Sequence, residues 1–141
     1  MRNSKIKDVP FWKTNKLVLR LFNILGEKNL KLVGGAVRAA LKSKTTNDLD
    51  FAVNAKPELV KQKLENNDIK FKDKSKGHGT ISIFARGFTI EITSLRKDIK
   101  TFGRKAKVGF INSFTEDAKR RDFTINSIYS DVEGHLFDPF G

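Results

Sequence analysis

Residues 30–53 read LKLVGGAVRAALKSKTTNDLDFAV, and this stretch decides the fold. Leu30 to Val33 is a short apolar run ending on Gly34-Gly35, the pattern of a buried strand closed by a tight turn. Ala36 to about Leu41 then predicts a helix, Thr45, Thr46 and Asn47 a loop, and Asp48 to Val53 a second strand. Upstream, Leu17, Leu21, Ile24 and Leu25 recur at helical spacing over 14–25, and Gly26 is a natural C-cap. Residues 1–13 are polar, contain Pro10, and read as an arm anchored to the body by Phe11 and Trp12.

Downstream, Lys56 to Glu65 predicts a surface helix opened by Pro57. Ile69 to Phe71 reads as a short edge strand, and 73–79 as a charged turn bearing glycine. Thr80 to Phe84 and Phe88 to Thr93 flank Ala85-Arg86-Gly87 as a hairpin. Lys97 to Phe110 is long, basic and weakly patterned, and reads as a mobile loop. A last helix is expected from Glu116 to about Tyr129, before Gly134 and Pro139 break the chain. The order β-α-β-α-β-β-loop-α predicts an α/β (α+β) domain over 14–141, a mixed sheet with helices packed on it, and not a doubly wound one.

The 141 residues carry 28 Lys and Arg against 16 Asp and Glu, a net charge of +12. Such an excess on one small domain points to an anionic partner, nucleic acid above all, with a merely solvated basic surface as the alternative. The absence of cysteine excludes disulfides, thiolate zinc sites and cysteine nucleophiles, and fits a reducing, cytoplasmic location. No apolar run approaches the length of a membrane helix, so no membrane partner is expected. The basic N-terminus lacks the apolar core of a secretory signal.

Three local features carry chemistry. In Gly34-Gly35-Ala36-Val37-Arg38, glycine lets the backbone approach a phosphate, the helix start offers free N–H groups, and Arg38 lies one turn on; a plain tight turn would look the same. It is not a Walker loop, since Gly-Lys-Ser/Thr is missing. In Asp48-Leu49-Asp50 the two carboxylates share one strand face, and hard oxygens repelling each other suit Mg²⁺; capping aspartates after Thr46-Asn47 are the alternative. Glu91, between Thr89 and Thr93 on the polar face of Phe88–Thr93, is a candidate third carboxylate, unless a Lys or Arg neighbour pairs it. In the stretch from Glu116 to Asn126, Arg120-Arg121-Asp122 sets two phosphate donors beside an acceptor for a ribose hydroxyl. A solvated helix face with pairs such as Glu116–Arg120 is the alternative. His78 and His135 sit in glycine-bearing turns without a partner at metal-ligand spacing.

LVGGAVR, NDLDFAV, GHGTISI, FTIEITSLRKD and EDAKRRDFTINSIYSDVEGHLFDPFG follow one another in this sequence. In order and number these motifs resemble the head domain of class II tRNA nucleotidyltransferases, the CCA-adding enzymes, and their bacterial poly(A) polymerase relatives, over about residues 14–141. The resemblance implies a polymerase-beta-like nucleotidyltransferase head. It implies that Gly34, Gly35 and Arg38 bind the nucleoside triphosphate, that Asp48 and Asp50 hold the catalytic Mg²⁺, and that Arg120, Arg121 and Asp122 contact phosphate and the ribose 2′-hydroxyl. Asn126 is counted with the nucleotide-binding residues and Glu91 with the catalytic carboxylates.

The expected partners are NTP (ATP and CTP), an RNA such as a tRNA 3′ end, and a second chain supplying neck and body domains. Two departures stand out. Ala39 occupies a position where the family usually has an acidic residue, which puts the placement of Arg38 in doubt. Family members also continue into neck, body and tail after DPFG. Glu116-Asp117-Ala118-Lys119-Arg120 matches the family's base-reading EDxxR string by letter but lies before RRD, and reads as a false match. A non-catalytic RNA-binding or assembly module, a head without activity of its own, is the alternative reading.

Overall fold

A computed structural model of the chain describes residues 4–73, 78–99, 107–121 and 127–139. The elements in chain order are β1 (Ser4–Lys5), a 3-10 turn (Phe11–Thr14), α1 (Lys16–Leu25), β2 (Leu30–Val33), α2 (Gly35–Leu41), β3 (Asp48–Val53) and α3 (Pro57–Asn66). They continue as β4 (Thr80–Ala85), β5 (Phe88–Ser94), β6 (Arg96–Ile99), β7 (Lys107–Phe110), α4 (Phe114–Lys119), β8 (Tyr129–Ser130) and β9 (His135–Phe137). Seven strands form one sheet in the order β1-β9-β8-β2-β3-β5-β4, while β6 and β7 pair as a separate ribbon. Within the sheet β3 and β5 run parallel and the other pairings are antiparallel, so the sheet is mixed, as the sequence predicts.

Local chemistry starts and stops the helices. The Asn15 side chain accepts hydrogen bonds from the Leu17 and Val18 N–H groups, capping α1. Gly26, at φ +96°, ends α1 in a conformation that strains any residue with a Cβ. Pro57 opens α3, where its missing N–H costs nothing. The apolar faces of α1 (Val18, Leu21, Phe22, Leu25) and α3 (Val60, Leu64) close over Leu30, Leu32, Leu49, Phe51, Val53, Ile81, Ile83, Ile90 and Ile92. Those strand residues alternate, so the intervening positions point to the other face. There, a smaller cluster of Val33, Ala52, Leu95, Ala118 and Tyr129 covers only part of the sheet. The uncovered part of that second face holds the site.

Residues 4–13 are docked on the body. β1 pairs with β9, Ile6 and Trp12 are buried, and Trp12 Nε1 donates to the Val132 carbonyl at 3.0 Å. Three expectations are corrected. Residues 69–71 form no strand: the chain meets β4 only at a Lys72–Ser82 bridge, just beyond Asp68, whose φ of +57° turns it at the end of α3. The stretch 97–110 is no plain loop, since its described residues supply most of the β6–β7 ribbon, with 100–106 outside the described residues. Main-chain bonding holds that ribbon, which needs no apolar periodicity for a sequence reading to find. The last helix stops at Lys119, and Tyr129 lies in β8, because its backbone is paired to Val33 on one side and Phe137 on the other. No helix among the described residues is long and apolar enough to cross a membrane.

The burial of Trp12 makes a direct test of the N-terminal segment. Trp12→Ala should destabilise the chain by about 3–5 kcal/mol in denaturant unfolding followed by circular dichroism. A loss of a few tenths would show instead that the segment detaches freely.

Candidate active site

The site is built where β2 ends and β3 begins on the open face. β2 runs out at Val33, and Gly34 follows at φ +70° to start α2. A Cβ on Gly34 would meet Asp50 Oδ2 at an ordinary 3.7 Å, so it is the positive φ of this turn beside the carboxylate that calls for glycine. Arg38 folds back from the first turn of α2, with Nη2 3.6 Å from where a Cβ of Gly35 would lie. Ala39 therefore does not turn the arginine away.

On β3, Asp48 and Asp50 share the open face. The parallel register sets Asp48 opposite Thr89 and Asp50 opposite Glu91. Thr89 Oγ1 donates to Asp48 Oδ1 at 2.8 Å, which fixes the exposed aspartate. Burial raises the Asp50 carboxyl above the usual carboxylate range, the Glu91 and Asp48 charges raise it further, and Arg121 opposes them. Glu91 is exposed, and beyond it the Thr80 and Thr93 hydroxyls meet at 3.0 Å. No salt bridge to Asp48, Asp50 or Glu91 exists among the described residues. Nor do three His, Asp or Glu side chains among them come together as a metal-holding group.

The opposite wall comes from the end of α4. Arg120 and Arg121 do not lie on a solvated helix face: their side chains are 16% and 18% exposed and both are paired to Asp117. The pair Glu116–Arg120 is corrected accordingly. Glu116 is bonded instead to Lys119 at 2.8 Å, an exposed i,i+3 contact, because Asp117 points inward where the arginines are. Asp117 itself is fully buried, and Tyr129 OH donates to its Oδ2 at 2.6 Å. Burial and the bond to Asp117 push the Tyr129 hydroxyl well above the usual phenol range, so it stays a donor.

Gly34, Gly35, Arg38, Thr46, Asp48, Asp50, Arg120 and Arg121 line one cleft of about 600 Å³. That is large enough for a nucleotide. It adjoins a second hollow shared by Asp50, Glu91, Thr80, Thr93, Arg96, Arg120 and Arg121. The sequence-predicted residues thus converge, apart from Asp122 and Asn126, which lie outside the described residues. Sequence reading missed Thr46, Arg96, Tyr129 and Asp117; of these only Asp117 left a signal, standing three and four residues before the two arginines. A groove of about 680 Å³ at Ile69, Phe71 and Phe84 is larger, but it lies at the far sheet edge among none of these groups.

The same architecture occurs in solved structures. The chain is similar to the Bacillus stearothermophilus CCA-adding enzyme in its crystal structure with CTP, at 34% identity and TM-score 0.73, over 94% of this chain and 30% of that one. It is similar also to a tRNA nucleotidyltransferase complexed with a primer tRNA and an incoming ATP analog, at 29% identity and TM-score 0.64, over 86% of this chain and 34% of that one. The fold is that of a nucleotidyltransferase head.

Among relatives, the mitochondrial CCA tRNA nucleotidyltransferase 1 of Danio rerio is 40% identical over 112 residues, 79% of this chain and 26% of that protein. The CCA-adding enzyme of Lactobacillus johnsonii is 37% identical over 139 residues, 96% of this chain and 34% of that protein. The Poly A polymerase head domain matches residues 30–141, and the chain belongs to that family. It spans about a quarter to a third of the length of these relatives.

The electrostatics of Asp50 predict a stability gain on neutralising it. An acid whose carboxyl is raised in the fold loses stability as pH climbs through its folded titration point. In metal-free buffer at about pH 7, where ordinary carboxylates are ionised, Asp50→Asn should melt above the wild type. The gain should shrink as the pH falls through the carboxylate range. A lower melting temperature would show that favourable contacts, not repulsion, dominate at Asp50.

Proposed function

We propose that the chain is the catalytic head of an RNA nucleotidyltransferase, which transfers a nucleotide from an NTP (ATP or CTP) to the 3′ end of an RNA, in the first place a tRNA. The observation that carries this reading is the convergence of two carboxylates, a glycine turn and three arginines on one cleft. Relatives named CCA-adding enzymes, and similar structures titled with CTP or with primer tRNA and an ATP analog, support it.

The donor set suits Mg²⁺. Asp48 and Asp50 offer hard oxygens from one strand face, and they lack salt-bridge partners among the described residues. An incomplete protein cage is what this ion uses: one or two carboxylates, with substrate phosphates filling other positions. Bound at Asp48 and Asp50, the ion would neutralise phosphate charge and acidify the attacking hydroxyl.

The chain's own groups do the rest. Arg38, Arg120 and Arg121 hold the triphosphate, whose charge the carboxylates alone would repel. Gly34 and Gly35 let it approach the backbone. Asp122 accepts a hydrogen bond from the ribose 2′-hydroxyl, Asn126 assists in holding the nucleotide, and Glu91 completes the carboxylate set. The RNA 3′-oxygen bonds to the α-phosphorus, the bond to pyrophosphate breaks, and the hydroxyl proton is released. Position and charge neutralisation supply the rate.

The match leaves about two thirds to three quarters of the relatives' length outside it, and this reading assigns the head the chemistry and not the choice of base. In this reading neck and body segments of the kind the relatives carry provide that choice and grip the RNA. The cysteine-free sequence fits a reducing cytoplasm as the place of work.

Titration of the 141-residue chain with ATP and Mg²⁺ tests the reading. Asp48→Asn and Asp50→Asn should each remove the Mg²⁺-dependent part of binding, and nucleotide incorporation with it, in folded protein. Equal Mg²⁺–ATP binding by wild type and both variants would overturn the metal assignment. Sugar choice gives a second test. The wild type should bind ATP better than dATP by about 1.5–3 kcal/mol, the worth of a hydrogen bond to a charged group. Asp122→Ala should close most of that gap, and a wild type indifferent to the 2′-hydroxyl would remove Asp122 from the site.

A further inference from the structure

Asp117 is a buried carboxylate that the reaction does not use directly. Its side chain is 1% exposed. Oδ1 accepts from the Arg96 backbone N–H at 3.1 Å and from Arg120 Nε at 3.3 Å. Oδ2 accepts from Arg121 Nε at 3.2 Å and from Tyr129 OH at 2.6 Å. A carboxylate has about four acceptor sites, and here four donors take them. The donors come from the start of β6, the end of α4 and β8, so one side chain joins three segments.

The direction of the contacts matters. Arg121 is gripped at Nε, and its guanidinium lies 5.8 Å from the Tyr129 ring centroid. The bond at Nε and the ring fix the plane of the guanidinium, and its residue lines the cleft beside Asp50 and Arg38. Arg120 is gripped at Nε and Nη2 through the one oxygen. Two neighbouring guanidiniums repel, and an arginine has many rotamers, so without a shared anion the pair would splay. We infer that Asp117 is the positioning residue of the cleft: it aligns Arg120 and Arg121 as a preformed receptor for a triphosphate, and touches no substrate itself. This rests on the reading of the cleft as a triphosphate site.

Asparagine at 117 is the informative substitution. It keeps the shape, but its NH₂ cannot accept, and all four neighbours donate. Whichever way the amide turns, the bond to Arg120 or the bond to Arg121 is lost, since only the Tyr129 hydroxyl can turn to accept from the NH₂. The probe is inorganic triphosphate, titrated into the folded chain at low temperature. Asp117→Asn should weaken binding at least about ten-fold, which is 1.4 kcal/mol. Val60→Ala, in the core under α3 and away from the cleft, should lower the melting temperature yet keep triphosphate affinity within about two-fold, the spread expected of a distant site. NMR of the arginine Nε–Hε groups supplies a readout that general destabilisation does not move. In the wild type both Arg120 and Arg121 should show slowly exchanging, shifted resonances, and in Asp117→Asn at least one should revert to the exposed-arginine position.

Failure of the wild type to bind triphosphate would overturn the functional reading. Triphosphate binding by wild type and Asp117→Asn within two-fold, or unchanged Nε–Hε resonances in the variant, would overturn the positioning role alone. Should the variant not fold, fast-exchanging Nε–Hε groups in the wild type would overturn it equally.

Discussion

Asp50 and Glu91 stand in register on adjacent parallel strands, with Asp48 two residues along the same face. Three carboxyl groups on one pleated surface are a cost to the fold, and at Asp50 burial first, then the Glu91 and Asp48 charges, raise the carboxyl. The rest of the domain is arranged around that cost. In an otherwise antiparallel sheet, the β3–β5 pair is the parallel one, and it requires a connection from β3 through α3 and β4. That connection packs its helix on the far face, with Val60 and Leu64 in the main core. The acidic face is therefore left open to solvent and to whatever cation and phosphate offset it.

The basic side of the cleft has the opposite problem and a different solution. Burial disfavours the charged form of Arg120, and Arg121 and Arg96 add repulsion. Asp117 is the counter-charge, and it is far less exposed than either arginine it holds. Buried ion pairs are weak evidence for stability in general, but removing one partner from a formed pair is expensive. The cleft thus has two unlike walls. The carboxylate wall has no salt-bridge partner among the described residues, while the guanidinium wall is fixed from behind by Asp117. Preformed charge of this kind needs no reorganisation when a phosphate arrives.

How much of this was legible in the sequence follows from the range of each interaction. β2, β3, α3, β4 and β5 were read with small errors because their signals are local: an apolar run against glycine, strict alternation, a proline at a helix start. Asp48 with Asp50, and Gly34 with Arg38, were legible for the same reason, being set by one strand face and one turn. The β6–β7 ribbon was not, because its stretch is charged and its pairing is between backbones. The end of α4 is not legible in the sequence because Tyr129 is drawn into the sheet between Phe137 and Val33, the latter 96 residues away in the chain. The docking of Phe11 and Trp12 was expected from their type alone, but the acceptor at Val132 lies 120 residues away.

Asp117 shows where local reading goes wrong even at short range. Its neighbours Glu116 and Arg120 sit at helical ion-pair spacing, and on a free helix that spacing would suffice. The helix is not free. Ala118 is buried beside Tyr129 in the second cluster, and that contact fixes the rotation of α4. Once rotated so, Glu116 faces water and takes Lys119, while Asp117 faces the sheet and takes everything that donates there. Two apolar anchors on α4, Phe114 against the Tyr129 ring and Ala118, thus decide which of two adjacent acids is a surface charge and which is the support of the cleft. The same string that resembles a base reader by letter is, in this head, a scaffold for arginines. Its chemistry follows from which way the helix faces, and spacing alone cannot supply that.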